Sequence, residues 1–433
     1  MNKLECFFME EYGKILIIAM PLFLVLIIIE KIYGLYKGED NVPLMDGVSS
    51  VSSGITNAVK DVLGLSITFI SYDWMVSKIA LFTLEANVLA YLLAFVIIDF
   101  YGYWNHRIAH QVNFFWNKHA VHHSSEEFNL ACALRQSIST FVNLFTFILV
   151  PAALMGVPAK VIIITLPIQL FLQFWYHTKH IKKMGVLEKI IVTPSHHRVH
   201  HAINPEYIDK NHGQIFIFWD KWFGTFQEEL EAVPAVYGIT RPAQTWNPIK
   251  INFQHLGLLL SDAWRTEKWK DKLTIWFKPT GWRPHNFEEK YPVDKITNVY
   301  DFEKYGNENS LKLTYWSVAQ VMITLVIVSF LFNNIGDIGL PNIFIYGSFI
   351  FLTIYSYTEL MDKSKFSIYW ESLRFLMAIG ILVNFGDWFG LNSLFPIGNY
   401  IVIGYLLLSL LMNFYFVFFE FKAKKEVLIN PKN

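Results

Sequence analysis

The sequence predicts an all-α integral membrane protein, with about nine transmembrane helices carrying a histidine-rich, di-metal cap on the cytoplasmic side. Three observations carry that expectation. Hydrophobic residues make up 53% of the 433 positions and charged residues only 17%, against about 25% charged in soluble domains. The apolar residues gather in long runs, such as Ile15 to Ile29, Val88 to Ile98 and Ile401 to Phe419. Twelve of the fourteen histidines fall between positions 106 and 212.

Crossing a bilayer takes about 20 mostly apolar residues in a helix, because only a helix pairs its own backbone in hydrocarbon. On that rule the chain offers spans near 15–32, 62–82, 85–104, 138–155, 160–176, 314–332, 342–359, 370–388 and 397–419. The second is interrupted by Ser71, Tyr72 and Asp73, and Pro158 marks the turn between the fourth and fifth. The first run has no strongly basic flank and no small-residue cleavage site after it, so it reads as a retained helix. Four units follow: an N-terminal membrane region over 1–84, a histidine-bearing unit over 85–230, a polar or interfacial segment over 231–312, and a C-terminal bundle over 313–433.

Two sections do not span: a polar insert at 105–137 and a long one at 177–312. Both are rich in Lys and Arg, and the tail carries Lys422, Lys424 and Lys425. Basic loops stay in the cytoplasm, and even numbers of spans separate the three regions. With nine spans the N-terminus faces the other side; a re-entrant 62–82 would reverse it. Between His255 and Pro284, Trp264, Trp269, Trp276 and Trp282 alternate with lysines. That composition suits either a helix at the headgroup layer or a solvated helix on its own domain. Zero net charge gives no bulk attraction to nucleic acid. Two cysteines, Cys6 and Cys132, exclude a disulfide scaffold and a thiolate cluster.

The histidines form three boxes: His106-Arg-Ile-Ala-His110, His119-Ala-Val-His122-His123 and His197-Arg-Val-His200-His201. Spacings of three and four converge side chains on one helix face. Eight imidazoles exceed the four ligands common for one zinc ion and suit two ions of higher coordination. Imidazole suits iron, zinc, copper and nickel, while magnesium and calcium prefer oxygen. His177 lies close to the set; His180, His196 and His212 stand as outer candidates, and His255 and His285 as bystanders. Glu126, Glu127 and Arg135 either shape the site or form solvated pairs, and Asp99 either supports a ligand or ends a helix. Ligands at span ends rather than at the bilayer midplane disfavour metal transport. Eight ligands also leave little room for the open position that a zinc hydrolase needs.

These boxes, with WNKHAVHHSSEEFNLACALR from Trp116, TPSHHRVHH from Thr193, Asn211-His212-Gly213 and WDKWFGTF from Trp219, resemble the fatty acid hydroxylase and sterol desaturase superfamily. The likeness is strong from about 85 to 230 and is greatest to the ether-lipid-cleaving branch, whose extra C-terminal spans the chain also has. The resemblance implies two iron ions held by His106, His110, His119, His122, His123, His197, His200 and His201, with His177 added from the end of the preceding span. It implies dioxygen-dependent hydroxylation of a membrane lipid beside an ether oxygen, in a bacterial inner membrane or an endoplasmic reticulum. Gln111 stands where that branch tends to carry an acidic residue. The chain shows no dinucleotide fingerprint, and two cysteines cannot hold an iron–sulfur cluster. Electrons must therefore come from a separate donor. By resemblance that is a reduced pterin such as tetrahydrobiopterin, with a ferredoxin or cytochrome b5 as the alternative. The same site would equally serve hydroxylation or desaturation of sterols, acyl chains or aminolipids.

Overall fold

The computed structural model describes residues 3–65, 71–140, 149–306 and 309–422. The principal helices are α1 (Lys3–Lys37), α2 (Leu44–Val62), α3 (Val88–Gln111), α4 (Asn113–His123), α5 (Ala159–Leu172), α6 (Pro194–His201), α7 (Pro248–Arg265), α8 (Leu311–Asn333), α9 (Asn342–Met361), α10 (Ser367–Phe385) and α11 (Gly398–Tyr415). Among the described residues there are only isolated bridges and no named strand. The all-helical expectation therefore holds.

Six helices are long and apolar enough to cross a membrane: Tyr12–Lys37, Val88–Gln111, Leu311–Asn333, Asn342–Met361, Ser367–Phe385 and Gly398–Glu420. They match six of the nine expected spans. The 62–82 segment forms no single helix: α2 ends at Val62, and the next described helix, Tyr72–Ile79, has eight residues, only about 12 Å of rise. Of the expected span 138–155, residues 141–148 lie outside the described residues, and Val150–Leu154 is a short helix. The 160–176 segment gives α5, whose 14 residues rise about 21 Å. That is short of a hydrocarbon core of about 30 Å.

Local chemistry sets the helix starts. Asn87 accepts the Ala90 amide to open α3, and Ser310 accepts the Leu313 amide to open α8, satisfying donors that a helix start leaves orphaned. The larger apolar core joins α2, α8, α9, α10 and α11 through residues such as Val59, Val328, Ile350 and Leu406. A second core packs Ala90, Ala94 and Ile98 of α3 on Val161 and Ile162 of α5. Buried polar groups cross-link the C-terminal helices. Arg374 pairs with Glu371 and donates to the Tyr405 hydroxyl at 3.0 Å; Tyr405 donates to Gln320 at 2.7 Å, and Ser356 donates to Glu371 at 2.6 Å. In a bundle without water such groups must find one another.

Candidate metal centre

Each box lies on a helix with an end fixed by local sequence. Box one forms the last turns of α3. At Val112 the backbone turns extended (φ −124°, ψ 124°), which stops α3 and folds α4, with box two, back against it. Box three fills α6, which opens with Thr193 and Pro194. Proline suits the first helical position because its missing N–H would be orphaned anyway. The Thr193 amide donates to His196 Nδ1 at 3.3 Å. His196 thus takes the reciprocal role that Glu or Gln plays in a capping box and is turned away from the other rings.

All nine histidines expected as ligands come together, in two groups. His106, His110, His119, His123 and His200 form one; His122, His177, His197 and His201 form the other. In each, one nitrogen from every ring lies within 4.8 Å of the rest. Neighbouring Nε2 atoms are closer still. In the first group His106–His119 is 2.8 Å, His119–His123 3.0 Å, His200–His123 3.1 Å and His110–His123 3.2 Å. In the second, His197–His177 is 2.9 Å, His201–His197 3.0 Å and His177–His122 3.3 Å. Box two and box three both divide between the groups, and the His123 and His201 rings stack across the boundary at 4.2 Å.

The opposite ring nitrogens explain what these approaches are. His106 Nδ1 donates to the His212 carbonyl at 2.8 Å, His177 Nδ1 to Gln173 O at 2.9 Å, and His200 Nδ1 to Lys210 O at 2.9 Å. That puts the proton on Nδ1 and leaves a lone pair on Nε2. A ring nitrogen carries at most one proton, yet His123 Nε2 meets the Nε2 atoms of His110, His119 and His200, so hydrogen bonds cannot account for all of these contacts; a cation among the lone pairs makes them favourable. With metal–nitrogen bonds of about 2.1 Å, two ligands at a right angle sit about 3.0 Å apart. The observed spacings therefore fit metal ions. Burial first, then neighbouring rings, holds His119, His122, His123, His197, His200 and His201 well below the usual imidazole range; burial takes His177 down to about 4. They stay neutral, the form that binds metal.

Several supporting residues were not anticipated from the sequence. Asp209 reaches His110 Nδ1 at 3.3 Å, a carboxylate–imidazole arrangement that orients metal ligands. Asp209 and Asn211 adopt positive φ, and the Asp-Lys-Asn-His-Gly run is a turn composition that signals this loop without revealing its target. Arg198, within box three, forks onto Glu229 with two 2.7 Å bonds and donates to the Thr178 and Ile181 carbonyls. It thereby ties α6 to the segment following His177. Phe128 stacks on His177, Tyr176 lies against His197, and Trp116 lies against His110, walling the groups from water.

The remaining sequence candidates sit outside both groups. His212 packs its ring 5.0 Å from that of His110. His180 packs on Tyr33, and His255 donates to Asn113 O. Arg135 forms a buried pair with Asp46 at 2.6 Å, and Glu127 pairs with Lys179 and Lys304. Asp99 accepts the Ile215 and Phe216 amides and the Trp219 indole, pinning the 211–219 loop rather than a histidine ring.

A fatty acid hydroxylase family model matches residues 91–225. Human alkylglycerol monooxygenase is 35% identical over 384 residues, 87% of this chain and 84% of the human protein. The Xenopus tropicalis protein of the same name is 32% identical over 362 residues, 83% and 80% of the two chains. The chain belongs to the alkylglycerol monooxygenase family. It is accordingly an oxidoreductase of the monooxygenase class, integral to a membrane. Ornithine lipid hydroxylase OlsE of Rhizobium tropici is 30% identical over 152 residues, 34% of this chain and 45% of that one. No solved structure matches the chain.

Proposed function

We propose that the chain hydroxylates the carbon beside the ether oxygen of an alkylglycerol, using dioxygen and two iron ions. The observation that carries this reading is the pair of converging histidine groups, one of five nitrogens and one of four. A six-coordinate ion in each would keep one and two positions free. His106, His110, His119, His123 and His200 would hold one ion; His122, His177, His197 and His201 the other. Such a pair, when bound, supplies the oxygen activation that acid–base side chains cannot.

The chain's own part is to orient and to exclude. The Gln173, Lys210 and His212 carbonyls keep protons on Nδ1, Asp209 aims His110, and the aromatic wall excludes water that would drain oxidising power. The balance is one dioxygen, two electrons and two protons per ether: one oxygen atom enters the C–H bond and the other leaves as water. The hemiacetal then breaks its C–O bond to give an aldehyde and glycerol. The electrons come from a separate donor, a reduced pterin in our reading, otherwise a ferredoxin or cytochrome b5. We place both polar inserts and the C-terminus on the cytoplasmic side, and take 85–230 as the hydroxylase-like unit. The likeness to the ornithine lipid hydroxylase supports a second reading, hydroxylation of an aminolipid at the same site.

The test is metal analysis of purified protein, then turnover of an alkylglycerol under labelled dioxygen with reduced pterin or a ferredoxin system. Two irons per chain and label in the aldehyde or its acid are expected. Aldehyde release without oxygen would overturn the mechanism; a hydroxylated aminolipid in place of aldehyde would overturn only the substrate.

A further inference from the structure

We infer that residues 260–278 form an in-plane membrane anchor, seated in the headgroup layer at the end of α3 and selective for anionic lipid. After α7 stops at Arg265, a six-residue helix (Trp269–Thr274) and a 3₁₀ turn (Ile275–Phe277) follow. The inner side of this run is firmly built: Leu259, Asp262 and Ile275 are buried, and Asp262 forks onto Arg283 at 2.6 and 2.9 Å. The outer side is apolar. Trp264 is 86% exposed, Trp269 74% and Phe277 73%, with Leu260 and Leu273 exposed between them. Leu260 and Trp264 share one face of α7, and Trp269 and Leu273 share one face of the helix that follows, each pair four residues apart. Water does not favour five large apolar side chains left exposed within one short run.

Two further observations say what covers it. The first is position. The run is stitched to the end of the transmembrane helix that carries box one: the Asn113 amide donates to Lys278 O at 3.0 Å, the Thr280 amide to Gln111 O at 3.1 Å, and the Thr280 hydroxyl to His110 O at 2.5 Å. With 24 residues α3 rises about 36 Å, roughly one turn more than a hydrocarbon core of about 30 Å. Its end, and whatever is bound to it, therefore lies at headgroup level, continuous with the lipid-facing surface of the span. The second is charge. Between positions 264 and 278 five cations stand against two carboxylates, and Arg265, Lys268 and Lys270 are exposed. Tryptophan with lysine at that depth is the pattern of an interfacial helix, and each cation near an anionic surface adds to the attraction.

The anchor does not depend on the reading of the metal centre. If that reading holds, the anchor adds a consequence for substrate choice: the first histidine group is held at headgroup depth, where a carbon next to the polar head can reach it and a mid-chain methylene cannot.

The test uses the full-length protein in bilayers of phosphatidylcholine, with or without phosphatidylglycerol, and nitroxide labels at Trp269→Cys and Phe277→Cys in a Cys6→Ser background. Glu289→Cys, at an exposed site outside residues 260–278, is the reference. Relaxation by apolar oxygen should exceed relaxation by a water-soluble nickel chelate at 269 and 277, with the order reversed at 289. The difference should grow when phosphatidylglycerol is present. Labels at 269 and 277 that behave as at 289 would overturn the anchor; no response to phosphatidylglycerol would overturn its selectivity. In activity assays, W269D/F277D should raise KM for bilayer-borne substrate about tenfold and leave kcat for a short, water-soluble ether unchanged. Equal losses on both substrates would assign the two residues to folding instead.

Discussion

Arg135 offers a quantitative test of how box two is held. Its guanidinium meets Asp46 of α2 at 2.6 Å, donates to Ser50 at 2.9 Å, and donates to Ser124, the residue after His123, at 2.8 Å. Both partners of the ion pair are buried. Arg135→Gln leaves the Asp46 carboxylate without a counter-charge, beside the neutral donors of Ser50 and Ser125. Asp46→Asn leaves the guanidinium without its counter-charge. Breaking a buried pair from one side costs about 3–5 kcal/mol, roughly a hundred- to several-thousandfold in the folding equilibrium. The double variant removes both charges but keeps amide donors and acceptors in place. Its loss should fall short of the summed single losses by about 2–3 kcal/mol, the upper range for residues in direct contact. Reversible unfolding in mixed micelles measures the three values, and chelator challenge reads bound metal in parallel. Both single variants should shed metal faster than the double. Strictly additive losses would refute the claim that a coupled ion pair holds box two.

The other expectations concern the histidines directly. His122→Ala or His200→Ala should cut bound metal by at least half and abolish turnover, measured by elemental analysis and product assay; full activity in either would remove that residue from the ligand set. Asp209→Asn should weaken metal binding 10–100-fold, the usual cost of losing a partner that orients a ligand, with the fold intact by circular dichroism. In metal-free protein, His177 stays neutral down to about 4, whereas an unfolded histidine takes a proton below about 6.5. Its contribution is therefore fully present above 6.5 and lost as pH falls to 4, roughly 3 kcal/mol in all. Glu126 and Asp362, each pushed up to about 6 by burial, work in the opposite sense, while the other buried rings held low by burial add to His177. The thermal midpoint of the metal-free protein should fall between pH 7 and 4.5; a flat profile would count against buried neutral rings.

The histidine set was legible because helical spacing is local: positions 106 and 110, or 197, 200 and 201, share a face wherever their helix sits. How the rings divide between the two groups was not legible. It depends on how α4 folds back at Val112 and on where α6 docks, and both are tertiary facts. Asp209 escaped notice for the same reason, since only a positive-φ turn brings it back to His110. Among the described residues six of the nine expected spans form helices long and apolar enough to cross a membrane. At 62–82, where Ser71, Tyr72 and Asp73 interrupt the apolar run, α2 ends at Val62 and the next described helix is Tyr72–Ile79. Arg374 lies inside the expected span 370–388, and Glu371 and Tyr405 absorb its charge within the bundle.

The division of boxes two and three between the groups has a consequence for how the centre fills. His119 and His123 serve one group and His122 the other from a single short helix; His200 serves one, and His197 and His201 the other, from α6. Whichever ion arrives first must order both helices, and the second then finds its rings already placed, with the ordering entropy spent. Loading should therefore be cooperative: in a metal titration the singly filled species stays scarce, and the Hill coefficient exceeds one.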